Sequence, residues 1–379
     1  MRVHLLTISP GDTLVTSMGH TALAFSGGGM KQPAVYDWGA YDASSDNALA
    51  KVAAGELVYF LRVKSFGRFY AKVKGRDRTL VGQVLDIPSE ETHALQKRIE
   101  ALSHPLEREY KYHWADANCA TKVRDALDEA THGALAAGLD RPVPNTARFE
   151  ANRHFHRWPA IGFGWRFIIS NRVDQPLTAW QRTMLPEHLM RDVGQLTVSW
   201  DGAEPRPLVK THCDMRDGGF GFAPKTPPAR WPWALPGLLV SVLVLLSSSK
   251  VNSNRRARRW TGTLAGVYGL ALALLGTVGF ALWALTAIDG LGPTQNWLLA
   301  GPQTWVLVWA GDRFARGKQL GAMLQRALMA LGALGLLGLA LWPVTLTANG
   351  DMLSALLPGL LASIVALLWA GGGDDKAVA

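Results

Sequence analysis

The chain has 379 residues and a formal net charge of +9, and 48% of its residues are hydrophobic. This length allows more than one domain. Two cysteines, Cys119 and Cys213, are too few for a disulfide framework or for a CxxC metal pair. The basic residues do not form a run interleaved with aromatic side chains, so the sequence excludes a nucleic-acid groove and no nucleic-acid partner is expected.

The first 201 residues show the patterns of a small α+β domain. Apolar segments separated by short turn sequences predict strands over residues 3–8, 21–25, 34–38, 58–63 and 79–87. One helix is predicted to run to Leu102, with Ser89 as its N-cap and acidic residues in its first turn. A second is predicted over residues 119–130, capped by Asn118 or Asp116. Residues 202–231, rich in Pro, Gly and charge, are predicted to be a linker.

Cys119 is the first residue of the second predicted helix. The positive end of a helix dipole favours the thiolate form of a cysteine. His20, at the start of a predicted strand, could accept the thiol proton and complete a nucleophilic pair. A third group orients the imidazole in such sites, and Asp37 is the best candidate, with Tyr36 and Asp42 as alternatives. The competing interpretation is a small core cysteine and a structural histidine.

Metal binding is not expected from the histidine pattern. His154 and His156 are close in sequence, but no cysteine or carboxylate completes a ligand set beside them. We therefore predict neither a metal nor another cofactor.

Five apolar stretches follow the predicted linker, at 233–249, 261–288, 297–310, 322–346 and 352–370. A membrane-spanning helix needs about 20 apolar residues, which the second, fourth and fifth stretches supply. The third is short and contains Pro302, so a broken or re-entrant segment is the alternative. We predict a transmembrane domain of about five helices over residues 232–371, with a tail at 372–379.

Charge in the connecting segments predicts the orientation. Residues 250–259 hold five basic residues and no acid, and residues 312–318 hold three basic residues and one acid. The segments after the second and fourth stretches hold only Asp289 and Asp351 as charged residues. Because short Lys- and Arg-rich loops stay in the cytoplasm, the N-terminal domain is expected outside and the C-terminus inside. An exported domain needs a leader that residues 1–10 do not supply, so we expect an upstream signal or N-out insertion of the first helix.

The order His20, Asp37, Cys119 resembles that of the circularly permuted NlpC-type papain-like superfamily, which includes lecithin retinol acyltransferase. Longer stretches resemble the Lnb-type family, whose namesake is a bacterial lipoprotein N-acyltransferase with an extracytoplasmic N-terminal domain and a helical membrane portion. The matching stretches are residues 5–12, Gly19-His-Thr-Ala22, Tyr36-Asp-Trp-Gly39, Tyr59-Phe-Leu61, Tyr112, and residues 118–125, 173–180 and 185–187.

The resemblance implies an α+β permuted papain-like (NlpC-type) cysteine domain followed by an all-α transmembrane helical domain in the bacterial inner membrane. It implies a cysteine-dependent acyltransferase that moves an acyl chain from a glycerophospholipid, through a thioester, to the N-terminal amine of a lipoprotein. Cys119 would be the nucleophile, His20 the base and Asp37 the orienting residue. We assign substrate contacts to Tyr36, Asn118, Arg78 and Tyr70.

Two other classes of function remain open. One is a cysteine peptidase or amidase acting on cell-wall peptide, or a phospholipase; the other is a membrane-anchored binding or assembly module. A further segment bears on membrane contact, because it holds three basic residues, Arg68, Lys72 and Lys74, together with Phe66, Phe69 and Tyr70. Such a mixture suits anionic headgroups, and a solvated strand edge with core aromatics is the alternative.

Overall fold

The computed structural model describes residues 1–41, 50–51, 54–345 and 350–371. The chain divides into two compact units. The first comprises Met1–Pro159 and Gln175–Pro227, and the second comprises Ala160–Asp174 and Pro228–Ala379.

The first unit is built on an antiparallel sheet. Its strands are β1 (Arg2–Ile8), β2 (His20–Ser26), β3 (Ala34–Tyr41), β4 (Val58–Ser65), β5 (Leu80–Leu85), β6 (Glu109–Lys111), β7 (Pro142–Thr146), β8 (Pro176–Thr178), β9 (Thr197–Val198), β10 (Arg206–Pro207) and β11 (Val209–Arg216). The seven-stranded sheet has the order β11-β5-β1-β2-β3-β4-β6, while β7 pairs with β8 and β9 with β10.

Helices cover both faces of this sheet. The helices of the first unit are α1 (Phe66–Gly75), α2 (Ser89–Leu102), α3 (Cys119–Ala130), α4 (Ala134–Leu139), α5 (Ala147–His154), α7 (Ala179–Arg182) and α8 (Pro186–Val193), while α6 (Pro159–Ile168) belongs to the second unit. Successive strand residues point to opposite faces. Leu5 and Leu23 accordingly join the core formed with α2 and α3, whereas Leu6 and Ala22 join a second core formed with α1.

Several predicted elements are confirmed, and two segments differ. The helix Cys119–Ala130 has the predicted bounds, and the helix Ser89–Leu102 begins one residue earlier than predicted, with Pro88 instead of Ser89 as its N-cap. The predicted linker instead contributes β11, whose residues from Val209 to Arg216 pair with β5, because an extended segment satisfies its backbone groups at a sheet edge. Residues 160–174, predicted within the N-terminal domain, belong to the helical unit. The predicted tail at 372–379 lies outside the described residues.

The second unit contains α6 and the C-terminal helices. These are α9 (Ala234–Ser248), α10 (Arg255–Leu285), α11 (Asn296–Leu299), α12 (Trp305–Ala315), α13 (Ala322–Thr345) and α14 (Gly350–Gly371). Among the described residues, four helical segments are long and apolar enough to cross a membrane: Trp231–Ser248, Arg255–Leu285, Ala322–Leu341 and Met352–Ala370. The third predicted stretch is broken at Gly301–Pro302 into α11 and α12, each too short to span a bilayer alone.

This broken segment packs along α10. A side chain at Gly276 would meet Ala300, and one at Gly262 would meet Ala315 and Gly311, so the two backbones lie in close contact in an antiparallel arrangement. At the end of the contact, Arg258 donates to the carbonyl oxygens of Phe314 at 3.2 Å and Lys318 at 3.5 Å. The basic segment before α10 and the basic segment after α12 therefore lie at the same end of the helical unit.

Candidate active site

Cys119 is held at the start of α3 by its neighbour Asn118. The Asn118 side-chain oxygen accepts hydrogen bonds from the backbone N–H groups of Ala120 and Thr121, at 2.8 and 3.0 Å. The Asn118 amide donates to the carbonyl oxygens of Trp114 and Met184. All these contacts fix the first turn of the helix, because they satisfy N–H groups that have no partner inside it. The Cys119 thiol thus has a defined position at the positive end of the helix dipole.

His20 and Asp37 come together across neighbouring strands. His20 begins β2, Asp37 lies on β3, and the His20 Nε2–H donates to Asp37 Oδ1 at 2.7 Å. The same carboxylate oxygen accepts the backbone N–H of Gly39 at 2.9 Å. Because Nε2 is engaged by Asp37, Nδ1 is the ring nitrogen left for the hydrogen bond between His20 and the Cys119 thiol. The structure therefore unites the three predicted catalytic residues.

Lys64 completes this cluster from β4. Its ammonium forms an ion pair with Asp37 Oδ2, and the two side chains are 16% and 6% exposed. The Thr21 backbone also hydrogen-bonds with the Cys119 sulfur. With Cys119 as thiolate and His20 as imidazolium, the charges alternate along Cys119, His20, Asp37 and Lys64. Each charge then has an opposite neighbour, which is the condition under which buried charges are tolerated.

The electrostatics of the cluster favour the ionised pair. Burial lowers the pKa of His20, but Cys119 and Asp37 outweigh it and raise the pKa to about 10. Burial raises the pKa of Cys119, but the His20 imidazolium and the Thr21 backbone bring it below its ordinary value. Burial likewise opposes ionisation of Asp37, whose pKa is nevertheless held far below its usual range by His20 and Lys64. The arrangement is that of an activated thiolate nucleophile.

Tyrosine side chains form a group close to Cys119. The Tyr59 ring stacks on Tyr112 with centroids 4.5 Å apart and contacts Tyr41 at 5.2 Å and Tyr110 at 6.2 Å. Burial raises the pKa of Tyr112 to about 12, and the charge of Cys119 acts in the same direction. The Tyr112 hydroxyl therefore stays neutral near the thiolate and leaves the cluster charges unchanged.

The residues assigned to substrate contact lie in different places. Tyr36 is 2% exposed in the α2–α3 core and its hydroxyl donates to Glu100, because alternation along β3 turns it to the face opposite Asp37. The side-chain oxygen of Asn118 caps α3, and its amide nitrogen donates to backbone carbonyl oxygens. Both assignments are corrected to structural roles. Tyr70 is half-buried on α1 beside Phe66, and Asp42 lies outside the described residues.

Arg78 is the substrate assignment that the structure brings near Cys119. It is 5% exposed, and its Nε donates to the Ser9 carbonyl oxygen at 2.6 Å. The charges of Arg78 and Cys119 are close enough to interact. Burial lowers the Arg78 pKa to about 10, so the guanidinium remains a cation at neutral pH.

The basic and aromatic segment has become α1. Phe69 is buried in the second core, while Arg68, Lys72 and Lys74 are exposed. The ring of Phe69 therefore packs inside the domain, and the exposed face of this helix is cationic.

The first unit contains a group of possible metal ligands that the sequence did not predict. Glu150, Glu187 and His188 are buried, and their ligand atoms lie within 4.8 Å of one another. Arg153, however, forms ion pairs with both carboxylates, so part of their negative charge is already compensated. The His154 Nδ1–H donates to the Glu150 carbonyl oxygen at 2.7 Å, and burial lowers the pKa of His154 to about 4. The geometry suits a buried ionic network better than a cation site.

Sequence reasoning missed three contributors to the site: Lys64, Thr21 and Gly39. Lys64 gave no signal, since a lysine in a strand is ordinarily exposed. Thr21 acts through its backbone, which side-chain patterns do not reveal. Gly39 stood within the Tyr36–Gly39 motif but was read as the end of a strand. A Cβ atom there would overlap the His20 Cε1 and lie 3.0 Å from its Nε2.

We expect Gly39→Ala to displace the His20 ring and to lower catalytic turnover by about 10²-fold or more, because small misplacements of catalytic groups have effects of this size. The affected neighbour is an imidazole held by Asp37, so it cannot yield without losing that hydrogen bond. The measurement is the initial rate of the reaction that the sequence leads us to expect, lipid deacylation, by purified full-length protein in detergent. Gly29→Ala would be a poor control because its φ is positive; Gly75→Ala, which meets no neighbour within 4 Å, is the matched one. Equal rates for the two variants would contradict the close contact at Gly39.

Residues 1–151 match the family model described as the Lnb N-terminal periplasmic domain. This match includes Cys119, His20 and Asp37 and supports the Lnb family for the N-terminal part of the chain. Among curated proteins and among solved structures, none matches the chain. A periplasmic N-terminal domain joined to four candidate membrane helices is consistent with an Lnb-like membrane protein.

Proposed function

We propose that this protein is a membrane-bound acyltransferase that carries an acyl group on Cys119. The acyl chain comes from a glycerophospholipid and is transferred to the N-terminal amine of a bacterial lipoprotein. The observation that carries the proposal is the contact chain Cys119–His20–Asp37, with the thiol at a helix N-terminus. The match of this region to an Lnb domain supports the choice of a lipoprotein acceptor.

The first half-reaction is attack of the Cys119 thiolate on the carbonyl carbon of a lipid ester. The new carbon–sulfur bond forms and the bond from that carbon to the glycerol oxygen breaks. The His20 imidazolium gives its proton to the departing oxygen, so a neutral lysophospholipid hydroxyl leaves. The enzyme is left with a Cys119 thioester and a neutral His20.

The second half-reaction restores the ionised pair. The neutral α-amine of the acceptor attacks the thioester carbonyl and loses one proton to His20. The carbon–sulfur bond then breaks, and the products are an amide, the Cys119 thiolate and the His20 imidazolium. Covalent storage of the acyl group divides the transfer into two easier steps.

The start of α3 also supplies a stabiliser for the negative oxygen of each tetrahedral intermediate. Asn118 caps the N–H groups of Ala120 and Thr121 but leaves that of Cys119, which has no partner within the helix. A backbone N–H beside the nucleophile stabilises an oxyanion without any movement of the protein.

The fold that we propose is the permuted papain-like one. Its support is a cysteine helix packed against an antiparallel sheet whose neighbouring strands carry the histidine and its carboxylate. This chain order, histidine before cysteine, is the reverse of the papain order.

For the membrane orientation, we propose five crossings, with the α11–α12 segment as a broken one. The close packing of this segment along α10 satisfies the condition for irregular backbone at membrane depth, which is burial against protein. It also puts the two basic segments at one end, as charge placement in the cytoplasm requires. The N-terminal domain would be periplasmic in the inner membrane, and the C-terminus cytoplasmic.

This orientation predicts which cysteines react from outside the cell. In a Cys119→Ala background, a thiol reagent that cannot cross membranes should label the exposed Cys213 in intact spheroplasts. A cysteine placed at Asn252 or Ser253 should react only after the membrane is opened. The reverse labelling pattern would place the domain in the cytoplasm and remove the lipoprotein proposal.

The test of the activity is direct detection of the intermediate. Full-length protein carrying Cys213→Ser is incubated in detergent with a phospholipid of defined acyl chains. Intact mass should show one added acyl group that hydroxylamine removes, together with an equal amount of lysolipid. Release of free fatty acid without transfer to an added lipopeptide amine would favour a phospholipase. Cleavage of cell-wall peptide without lipid turnover would favour a peptidase or amidase, and neither reaction would favour a binding module.

A further inference from the structure

Arg78 is a buried cation without a carboxylate partner in the described part of the chain. Its Nη2 has no hydrogen-bond partner, and only its Nε is engaged, by the Ser9 carbonyl oxygen at 2.6 Å. Asp12 influences it electrostatically but is exposed, and no ion pair joins the two side chains. An unpaired buried charge is strongly destabilising, so its presence indicates a ligand that supplies the missing anion.

Strand pairing places this cation at the end of the sheet where His20 lies. Ile8 of β1 pairs with His20 of β2 on one side and with Leu80 of β5 on the other. Ser9, whose carbonyl holds Arg78, directly follows Ile8. The strands that carry His20 and Leu80 are two strand spacings apart, about 10 Å. An arginine side chain anchored at Ser9 between them is within reach of a molecule bound at Cys119.

We propose that the free Nη2 of Arg78 binds the phosphate group of the acyl-donor lipid. This inference rests on the proposed function, because a glycerophospholipid carries its phosphate on the same glycerol whose ester is attacked. A guanidinium suits this task because it forms charge-assisted hydrogen bonds to phosphate oxygens and stays ionised when buried. The permanent negative charge of the phosphate replaces the counter-ion that the protein lacks at this position.

Two acyl donors separate phosphate binding from a role in the chemical step. One is a short-chain phosphatidylglycerol, and the other is a p-nitrophenyl ester of the same acyl chain, which has no phosphate. Arg78→Met should lower kcat/KM for the phospholipid by about 10- to 100-fold, the loss expected for a hydrogen bond to a charged group. The same variant should acylate Cys119 from the nitrophenyl ester at a rate within about twofold of the parent protein. Arg78→Lys should retain an intermediate activity on the phospholipid, and Arg76→Gln, which removes an exposed neighbouring cation, should leave both rates unchanged.

An equal loss with both donors would overturn the proposal, because Arg78 would then serve the oxyanion or the general shape of the site. An unchanged rate with the phospholipid would overturn it as well. The unfolding temperature separates phosphate binding from a structural role of Arg78, because the two roles predict different changes in Arg78→Met. Removal of an unpaired buried charge should leave the unfolding temperature of Arg78→Met equal to or above that of the parent, whereas a structural arginine would lower it.

Binding without turnover distinguishes failure of this inference from failure of the proposed function. In full-length Cys119→Ala protein in detergent, short-chain phosphatidylglycerol should raise the unfolding temperature more than a diacylglycerol with the same chains does. The difference should vanish when Arg78→Met is added. If the parent protein forms no thioester but phosphatidylglycerol still raises the unfolding temperature more than diacylglycerol does, the acyltransferase proposal is wrong and the phosphate site is supported. Equal shifts for the two lipids would exclude the phosphate site itself.

Discussion

Replacement of Cys119 by alanine is expected to abolish both the thioester and acyl transfer, with a loss of at least about 10⁴-fold. The substitution removes one sulfur atom from a half-buried position at a helix N-terminus, and the Asn118 cap of α3 remains. The fold should therefore persist. The measurements are intact mass after incubation with phospholipid, transfer to a lipopeptide amine, and the unfolding temperature.

The second cysteine provides the matched control. Cys213→Ala removes a free, exposed thiol on the edge strand β11 and should leave both reactions unchanged. If Cys119→Ala keeps the parent rate, or if Cys213→Ala loses it, the thioester mechanism on Cys119 is wrong.

Replacement of His20 by alanine is expected to lower transfer by about 10²- to 10⁴-fold, the range for loss of a general acid–base group. It also removes the cation that holds the Cys119 pKa down, so the thiol should titrate closer to its ordinary value. The alkylation rate of Cys119 by iodoacetamide, followed against pH in a Cys213→Ser background, reports this change. An unchanged profile in His20→Ala would show that His20 and Cys119 do not interact.

Asp37→Asn should be milder in turnover, because an amide oxygen can still orient the imidazole. It removes one of the two anions, Cys119 and Asp37, that raise the His20 pKa, so the upper pH limit of activity should move below the parent value of about 10. In the parent protein the raised pKa of His20 adds to the free energy of unfolding. This contribution is fully present below the unfolded pKa of 6.5 and disappears as pH rises through about 10, because the folded state then no longer binds the extra proton. Asp37→Asn also leaves Lys64 without its partner. Adding Lys64→Met should therefore restore stability without restoring the alkaline limit.

Local sequence signals identified many of the elements and the three residues that the structure brings together in the candidate site. The helix Cys119–Ala130 was predictable because Asn118 is a strong N-cap and the apolar residues follow with helical spacing. The membrane half was predictable because hydrocarbon requires long apolar segments irrespective of the packing between them. The helix start at Cys119 and the strand start at His20 drew attention to these two residues, Asp37 followed as the group that would orient the imidazole, and the family resemblance in chain order added support.

What the sequence by itself determined about this protein is therefore its local structure: the caps, the apolar periods, the basic loops and the identity of the reacting groups. Tertiary structure alone decided which polar residues meet. The pairing of Asp37 with Lys64 depends on the register between β3 and β4, and the burial of Arg78 depends on the β5–β1–β2 order. It also decided that residues 209–216 form an edge strand and that Tyr36 faces the core. Register, strand order and side-chain facing arise from contacts distant along the chain, and the free energy of those contacts outweighs the weak local preferences that a sequence displays.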